Sequence, residues 1–554
     1  MTEQPRRLEN KLAALFGLLS IVIATLLICR ADLAYNQVFD EGAHIACGME
    51  WLSHGKYTYE TLHPPLARVA TAILPYAAGA RSQGHSDMAV EGTAIINRDG
   101  RYAHNLLLSR LGILPFFWLT CLLSYLFMLA YFSAWHGAIS VFFLSFCPVV
   151  LAHSAVATTD APLMATFLAA VLGFAIYLRS PTLPRALLAS VCLGIACVTK
   201  FSAIPFFVVT SAILVGQHMY RHREFLRPLR RLLFVGVCSL PILWAAYRFS
   251  YHPLFTPADT YPKAQVKLDA MSARNRSFLT KVNVPAPELF RGMYLIKQNG
   301  DGTLPRYGYL LGRLYTGGNP AFFPVALFIK TPIAMLLLCL AGVGIAWRFY
   351  RLKINEEVVV LFSGLVGPLL VGVLGNMNIG LRHILPVYPF LGMFASIAVV
   401  SMWSRRGAHG QLVRGLVFVL LIWNVTSCLL AAPQYLSYFN EFAASRPGHF
   451  LVDSDLDWGQ DFYKLESKLS GVPPADVSVD YFGDGTIARH ESAQWHTLKA
   501  GEHPTGWVAV SETRYEEHPE LFTWLSEKPF TWVGRTIRLY HVAMPANTNV
   551  DTSG

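Results

Sequence analysis

Long uncharged runs punctuate this chain, and polar stretches separate them. The first, Leu12 to Cys29, carries no charged side chain. A helix needs roughly 20 mostly apolar residues to cross the hydrocarbon layer of a bilayer. By that measure the pattern predicts eleven transmembrane helices. They lie near 12–29, 110–131, 137–153, 161–178, 186–199, 203–217, 232–248, 323–347, 357–375, 384–403 and 415–432. The runs at 186–199 and 203–217 are short, and also read as one broken hairpin. Three polar segments interrupt or follow the runs: about 30–109, about 251–320, and the tail after 432.

Each polar segment has its own pattern. In the first, two prolines open His63-PPLARVATAILPYAAGA, whose apolar residues recur at near-helical spacing. This predicts a helix lying in the membrane interface rather than crossing it. The second ends in Tyr307-GYLLGRLYTGGNPAFFP. Its glycines and aromatics suit a lid over a site that opens on the membrane. They equally suit an aromatic belt with turns. In the tail, strands are expected at Val477-SVDYFG, Gly506-WVAVSE and Thr531-WVGRTIRLYHV, and helices at Asp461-FYKLESKL and Glu520-LFTWLSEK. The expected organisation is a membrane domain over 1–432 and a small α/β or α+β unit over 433–554.

Composition supports the membrane reading. Hydrophobic residues make up 53% of the 554 positions and charged residues 14%, against roughly 25% charged in soluble domains. The net charge of +10 then reads as topology. With the N-terminus inside, the basic residues Arg179, Arg185, Arg221, Arg223, Arg227, Arg230, Arg231, Arg348, Arg351, Lys353, Arg405, Arg406 and Arg414 all fall in short inner loops, as the positive-inside rule requires. A nucleic-acid surface is the competing reading of a basic balance, and this distribution argues against it. Arg6, Arg7 and Lys11 precede the first run, which reads as an uncleaved anchor because no small-residue cleavage site follows. The expected setting is a plasma (inner) membrane, with the N-terminus cytoplasmic and the tail extracytoplasmic. Eight of nine cysteines lie in or beside apolar runs, so no disulfide framework is expected.

The chemistry-bearing residues collect at the outer ends of the spans. Ionisable groups are costly inside lipid and mark function where they occur. The first polar segment offers Asp40, Glu41 and His63; His153 and Asp160 flank the start of the fourth span. Lys200 ends the fifth, Lys330 lies in the eighth, and Arg382 and His383 precede the tenth. Each has a plainer reading. Asp40 and Glu41 are solvated charge or a helix cap, Asp160 a helix cap, Lys200 a snorkelling cation. His63 is a loop residue, and Arg382-His383 an interface anchor. Only their meeting at one place would make them a site.

A lipid phosphate ester lies at this level of a bilayer. Lys, Arg and His there would bind its oxygens and stabilise a phosphate leaving group. A nearby carboxylate could take the proton of an incoming hydroxyl. This chemistry is glycosyl transfer from a lipid-phosphate sugar, with one base and inversion at the anomeric carbon. Neither a G-x-x-x-x-G-K-[ST] nor a strand-borne G-x-G-x-x-G is present.

The chain resembles the lipid-carrier-dependent glycosyltransferases of the C superfamily (GT-C), near the protein O-mannosyltransferases and lipid A aminoarabinose transferases of glycosyltransferase family 39 and its relatives. The matching pieces are Phe39-DE, His63-PPL, Ala157-TTDAPL, Val198-TKFS, Tyr309-LLG, Phe328-IKTP and Leu381-RHILPVYP, within about 10–432. The resemblance implies a polytopic α-helical GT-C fold. It implies Asp40 as the catalytic base, with Glu41 and Asp160 as further acids. It implies His63, Lys200, Lys330 and Arg382, with His383 beside it, as substrate-binding groups. The implied partners are a polyprenyl-phosphate-linked sugar, membrane lipid, and an acceptor hydroxyl on a glycan, lipid or protein. Some relatives carry an acid where Leu62 stands and a lysine where His63 stands. The tail motifs Pro433-QYLSYFNEF and Asp453-SDLDWGQD resemble a bacterial subgroup. Within the second, Asp457, Trp458 and Gln460 either touch an acceptor or form a structural turn.

No cofactor is expected to be required. Asp40, Glu41 and Asp160 do supply the oxygen donors that Mg²⁺ or Mn²⁺ takes, as in distant members of the superfamily. The competing class is a transporter or flippase for lipid-linked sugars. Transporters place ionisable groups near the midplane, and here the midplanes are almost empty. A receptor or scaffold would leave the acids of the first segment without a task.

Overall fold

A computed structural model of the chain describes residues 3–255, 272–300, 307–352, 356–483 and 494–543. Eight of its helices are long and apolar enough to cross a membrane: Arg7–Ala34, Tyr102–Tyr131, Asp160–Arg179, Ala203–His222, Leu226–Ala246, Glu356–Leu374, Leu381–Trp403 and Gly407–Ala431. Two bent pairs, Ala134–Ser145 with Pro148–Ser154 and Phe322–Lys330 with Ile333–Arg348, bring the count to ten. The shorter apolar helix Leu183–Thr199 occupies the remaining expected run. Every run of the sequence therefore has a helical counterpart.

Proline explains the bends. It lacks an N–H and clashes with the preceding turn, so a helix interior breaks there. Pro148 follows the first break, where the two pieces meet at 68°. Pro332 sits in the second, at 114°. The same effect shapes the start of the tenth span. Pro386 and Pro389 hold Leu381–Val387 in a tight three-ten turn before the α-helix Tyr388–Trp403.

The segment between the first two spans is helical and packed, not open loop. It holds Glu41–His54, Pro65–Ala77 and Met88–Asn97. The expected helix after the two prolines is present as Pro65–Ala77, with Arg68 and Thr71 buried beneath it. Two glycines permit the packing. A Cβ on Gly48 would overlap the carbonyl of Arg68, and one on Gly92 the carbonyl of Gly42. The polar stretch at 251–320 forms two small antiparallel strand pairs, of which only the second is a hairpin. β1 (Tyr251–Pro253) pairs with β2 (Asn283–Pro285), and β3 (Tyr307–Leu310) with β4 (Arg313–Thr316). The rest of that stretch lies partly outside the described residues.

The tail does two things. Residues from Tyr435 to Trp458 join the core of the helical bundle. Beyond them lies a five-stranded sheet in the order β6-β5-β7-β9-β8. Its strands are β5 (Val477–Asp480), β6 (His496–Thr497), β7 (Gly506–Ser511), β8 (Phe530–Val533) and β9 (Ile537–Val542). β5 runs parallel to β6 and β7, while β9 is antiparallel to β7 and β8. Phe462, Leu465 and Leu469 pack on one face, and Phe522 and Leu525 on the other. Two expectations need correction. The single strand at 531–542 is a hairpin, because Gly534 turns the chain with φ 62°. The helix expected at 520–528 is a three-ten segment, Pro519–Leu525.

Candidate functional site

Asp40 stands at the start of Glu41–His54, but its side chain does not cap that helix. Backbone bonds hold it in place: Phe39 N donates to Trp458 O at 3.0 Å, and Asn36 N to Gln460 O at 2.9 Å. The tail thus stitches the first segment to the bundle. The freed Asp40 carboxylate, 27% exposed, accepts from Arg382 Nη1 at 2.7 Å.

Arg382 is the hub. Its Nη1 lies 3.5 Å from Asp160 Oδ2, its Nε donates to Ser454 Oγ at 3.1 Å, and its guanidinium lies 4.2 Å from the Trp458 ring centroid. Asp160, wholly buried at the first turn of its span, likewise makes no cap. Its Oδ1 accepts from Lys200 Nζ at 2.5 Å, so Lys200 turns inward instead of snorkelling. His383 follows Arg382 in the three-ten turn, and its Nε2 is buried with no hydrogen-bond partner among the described residues. Asp40, Asp160, Lys200 and Arg382 therefore form one cluster, drawn from residues up to 342 positions apart.

His63 lies just before the helix Pro65–Ala77. It packs edge-on against His44 at 5.3 Å and lies 3.3 Å from Glu60 Oε2. Burial, then Arg68, pushes His44 well below the usual imidazole range; burial chiefly lowers His63 as well. Both rings are neutral at pH 7. Burial alone would push the Glu60 carboxyl up, but Arg68 and His63 hold it well below the usual carboxylate range.

Two sequence candidates stand apart from the cluster. Glu41 is fully buried in a two-pronged pair with Arg110, at 2.8 Å on each side, and also accepts from Val38 N and Ala157 N. Arg110 reaches on to the carbonyls of Asp32, Tyr35 and Asn36. This knot fixes the loop that presents Asp40. Breaking a buried pair from one side leaves the other charge uncompensated, at about 3–5 kcal/mol. Glu41→Gln is therefore expected to lower unfolding stability by about 3 kcal/mol, measured by thermal unfolding in lipid nanodiscs. Lys330, also buried, donates hydrogen bonds to the carbonyls of Leu436 and Asp455 and lies 4.3 Å from the Phe439 ring centroid. It anchors the tail rather than touching the Asp40–Asp160 pair.

Several residues here escaped the sequence reading. Arg110 opened an apolar run, and a cation there was itself the signal of a buried partner. Arg68 and Glu60 had no motif to mark them. Ser454 and Trp458 lie in the Asp453-SDLDWGQD stretch, where Trp458 forms the floor under Arg382. Asp457 accepts from Gly459 N and Thr513 N, and Gln460 accepts from Trp458 N. Those two shape the turn.

The acids do not fit a shared divalent cation. Both oxygens of Glu41 are committed to Arg110 and backbone donors, and Arg382 already stands between Asp40 and Asp160. Among the described residues no group of three or more His, Cys, Asp or Glu side chains has metal-binding geometry.

Residues 110–245 match the family model described as dolichyl-phosphate-mannose-protein mannosyltransferase. Among solved structures, the Saccharomyces cerevisiae protein O-mannosyltransferase Pmt1–Pmt2 complex, bound to the sugar donor, is similar with a TM-score of 0.55. Identity is 12%, over 90% of this chain and 95% of that one. ArnT from Cupriavidus metallidurans, bound to undecaprenyl phosphate, is similar with a TM-score of 0.48 at 13% identity, over 94% of this chain and 97% of that one. No curated protein matches the sequence. The fold is thus the GT-C architecture that the resemblance implied, shared with the protein O-mannosyltransferase complex.

Proposed function

We propose that this chain is a membrane glycosyltransferase. It moves a sugar from a polyprenyl-phosphate carrier to an acceptor hydroxyl at the extracytoplasmic face of the inner membrane. The observation that carries the reading is the meeting of Asp40, Asp160, Lys200 and Arg382 at one end of the bundle.

The charges of these four side chains balance, two acids against two cations. An incoming lipid phosphate brings negative charge and planar oxygens that suit an arginine fork. Its oxygen displaces Asp40 from Arg382, and Lys200 adds a second cation held in place by Asp160. Asp40 is then free to accept a proton. The acceptor oxygen attacks the anomeric carbon opposite the phosphate. The C–O bond to phosphate breaks, the electron pair leaves with the carrier phosphate, and the hydroxyl proton passes to the Asp40 carboxylate. One displacement gives inversion. Cations aimed at a developing charge contribute about 3–4 kcal/mol each where one donor is removed. Neutral His44 and His63 add no competing positive charge that would hold the phosphate product.

Hexoses of the mannose type and pentoses are both within this reading. The test is to incubate the purified full chain in nanodiscs with a panel of polyprenyl-phosphate sugars, each with a cell-envelope extract as acceptor. Consumption of one donor, with release of the carrier phosphate, is expected. If every donor survives intact, the transferase reading fails.

A further inference from the structure

We infer that the helix Pro287–Gly300 is an interfacial element, with its Phe290–Met293 face seated in the bilayer leaflet at the Asp40 end of the bundle. The helix is inside out for water. Phe290, Met293 and Lys297 fall at spacings of three and four, and so share one side of it. On that side Phe290 and Met293 are 47% and 43% exposed. Glu288 and Arg291 turn the other way and are only 6% and 7% exposed. The acid accepts from Ser250 Oγ at 2.7 Å and lies 2.8 Å from His252 Nε2, and Arg291 Nε donates to Leu254 O. A single exposed apolar side chain needs no explanation. A helix that buries its charges and turns a phenylalanine and a methionine outward does.

The position of the helix says what lies against that face. It is tied to the end of the span Leu226–Ala246, which turns Leu233, Val237, Leu240 and Trp244 outward to lipid. The Trp244 ring meets Phe249 edge-on at 5.3 Å, and Phe249 and Tyr251 are both exposed. Ser250, between those two, holds the start of the helix twice. Its hydroxyl donates to Glu288, and its carbonyl accepts from Ala286 N at 3.0 Å. The apolar face of the helix thus begins where the lipid-facing surface of the span ends. Exposed Lys297 closes the stripe, a cation whose stem lies along acyl chains while its ammonium reaches the phosphates. A soluble partner or a second copy would have to displace lipid to reach this face.

The buried side of the helix backs onto the site. A Cβ on Gly292 would overlap the carbonyl of Thr61 and press on the Phe201 ring. Thr61 comes two residues before His63, and Phe201 directly follows Lys200. The helix is therefore the layer between lipid and the His63–Lys200 side of the site.

The test is photolabelling of the full chain, one copy per nanodisc, by a phosphatidylcholine that carries a diazirine in its acyl chain. Labelled peptides are mapped by mass spectrometry. Leu240 in the span is the positive control, and Trp532, exposed on the sheet of the tail, the negative one. Label is expected on Leu240 and within Phe290–Lys297, and not on Trp532. Phe290→Glu combined with Met293→Glu alters only outward side chains. Because charge is costly in lipid, the pair is expected to cut the Phe290–Lys297 label by about fivefold or more while Leu240 keeps its own. The label needs no turnover, so its outcome is independent of the transferase reading. Label on Leu240 with none within Phe290–Lys297, or an unchanged label in the double variant, would overturn the inference. So would Trp532 labelled as strongly as Phe290. A label that disappears when two copies share a nanodisc would give the face to a second copy and overturn it equally.

Discussion

Asp40→Asn is expected to lower turnover by about 10²–10⁴-fold, the usual worth of a positioned general base, while the protein still inserts and still binds the lipid donor. The geometry makes this a clean substitution. Asp40 holds no helix cap, and its bond to Arg382 at 2.7 Å is available to an asparagine oxygen. The loop that carries it is fixed by Glu41 and Arg110, so the backbone stays put. What disappears is the ability to take a proton. Steady-state transfer, with donor affinity measured on the same preparation, separates the two effects. Full activity in this variant would remove Asp40 as the base.

Arg382→Ala is expected to act on binding first. The guanidinium touches Asp40, Asp160, Ser454 and the Trp458 face at once. Its loss removes a phosphate partner and leaves Asp40 and Asp160 facing the incoming anion. Truncating one side of a buried charge pair costs about 2–5 kcal/mol, which corresponds to donor affinity lower by about 30-fold or more. Arg382→Lys should recover part of this, because a lysine supplies charge without the planar fork. Lys200 remains tied to Asp160 in both variants, so some phosphate attraction persists. Undecaprenyl phosphate titrated against each variant reads the difference, and unchanged affinity would take Arg382 out of the phosphate site.

Much of this was written locally. Apolar runs announce spans because lipid tolerates little else, and the two prolines before Leu66 announced a helix where one is found. The carboxylates of Asp40 and Asp160 stood out because they sit where charge is costly. What stayed hidden was set by distant contacts. Nothing near Glu41 shows that Arg110 will take both its oxygens, so its place beneath the site, not in it, emerges only from the fold. Lys330 belongs to the same group: its partners are carbonyls of a tail more than a hundred residues away. The hairpin at 530–542 read as one strand because a glycine inside a strand pattern also marks a bulge. Trp458 read as an acceptor contact or as part of a turn, and the cation above it comes from the start of the Leu381–Trp403 span.

The central claim is that a lipid phosphate lies among Asp40, Lys200 and Arg382. A polyprenyl-phosphate analogue with a photoreactive group beside the phosphate tests it directly, with crosslinked peptides mapped by mass spectrometry in the full-length wild type. Labels within about 38–44 and 376–388, competed away by undecaprenyl phosphate, are the result expected. Labels confined to the basic stretch Arg221–Arg231, with none near Asp40 or Arg382, would contradict it.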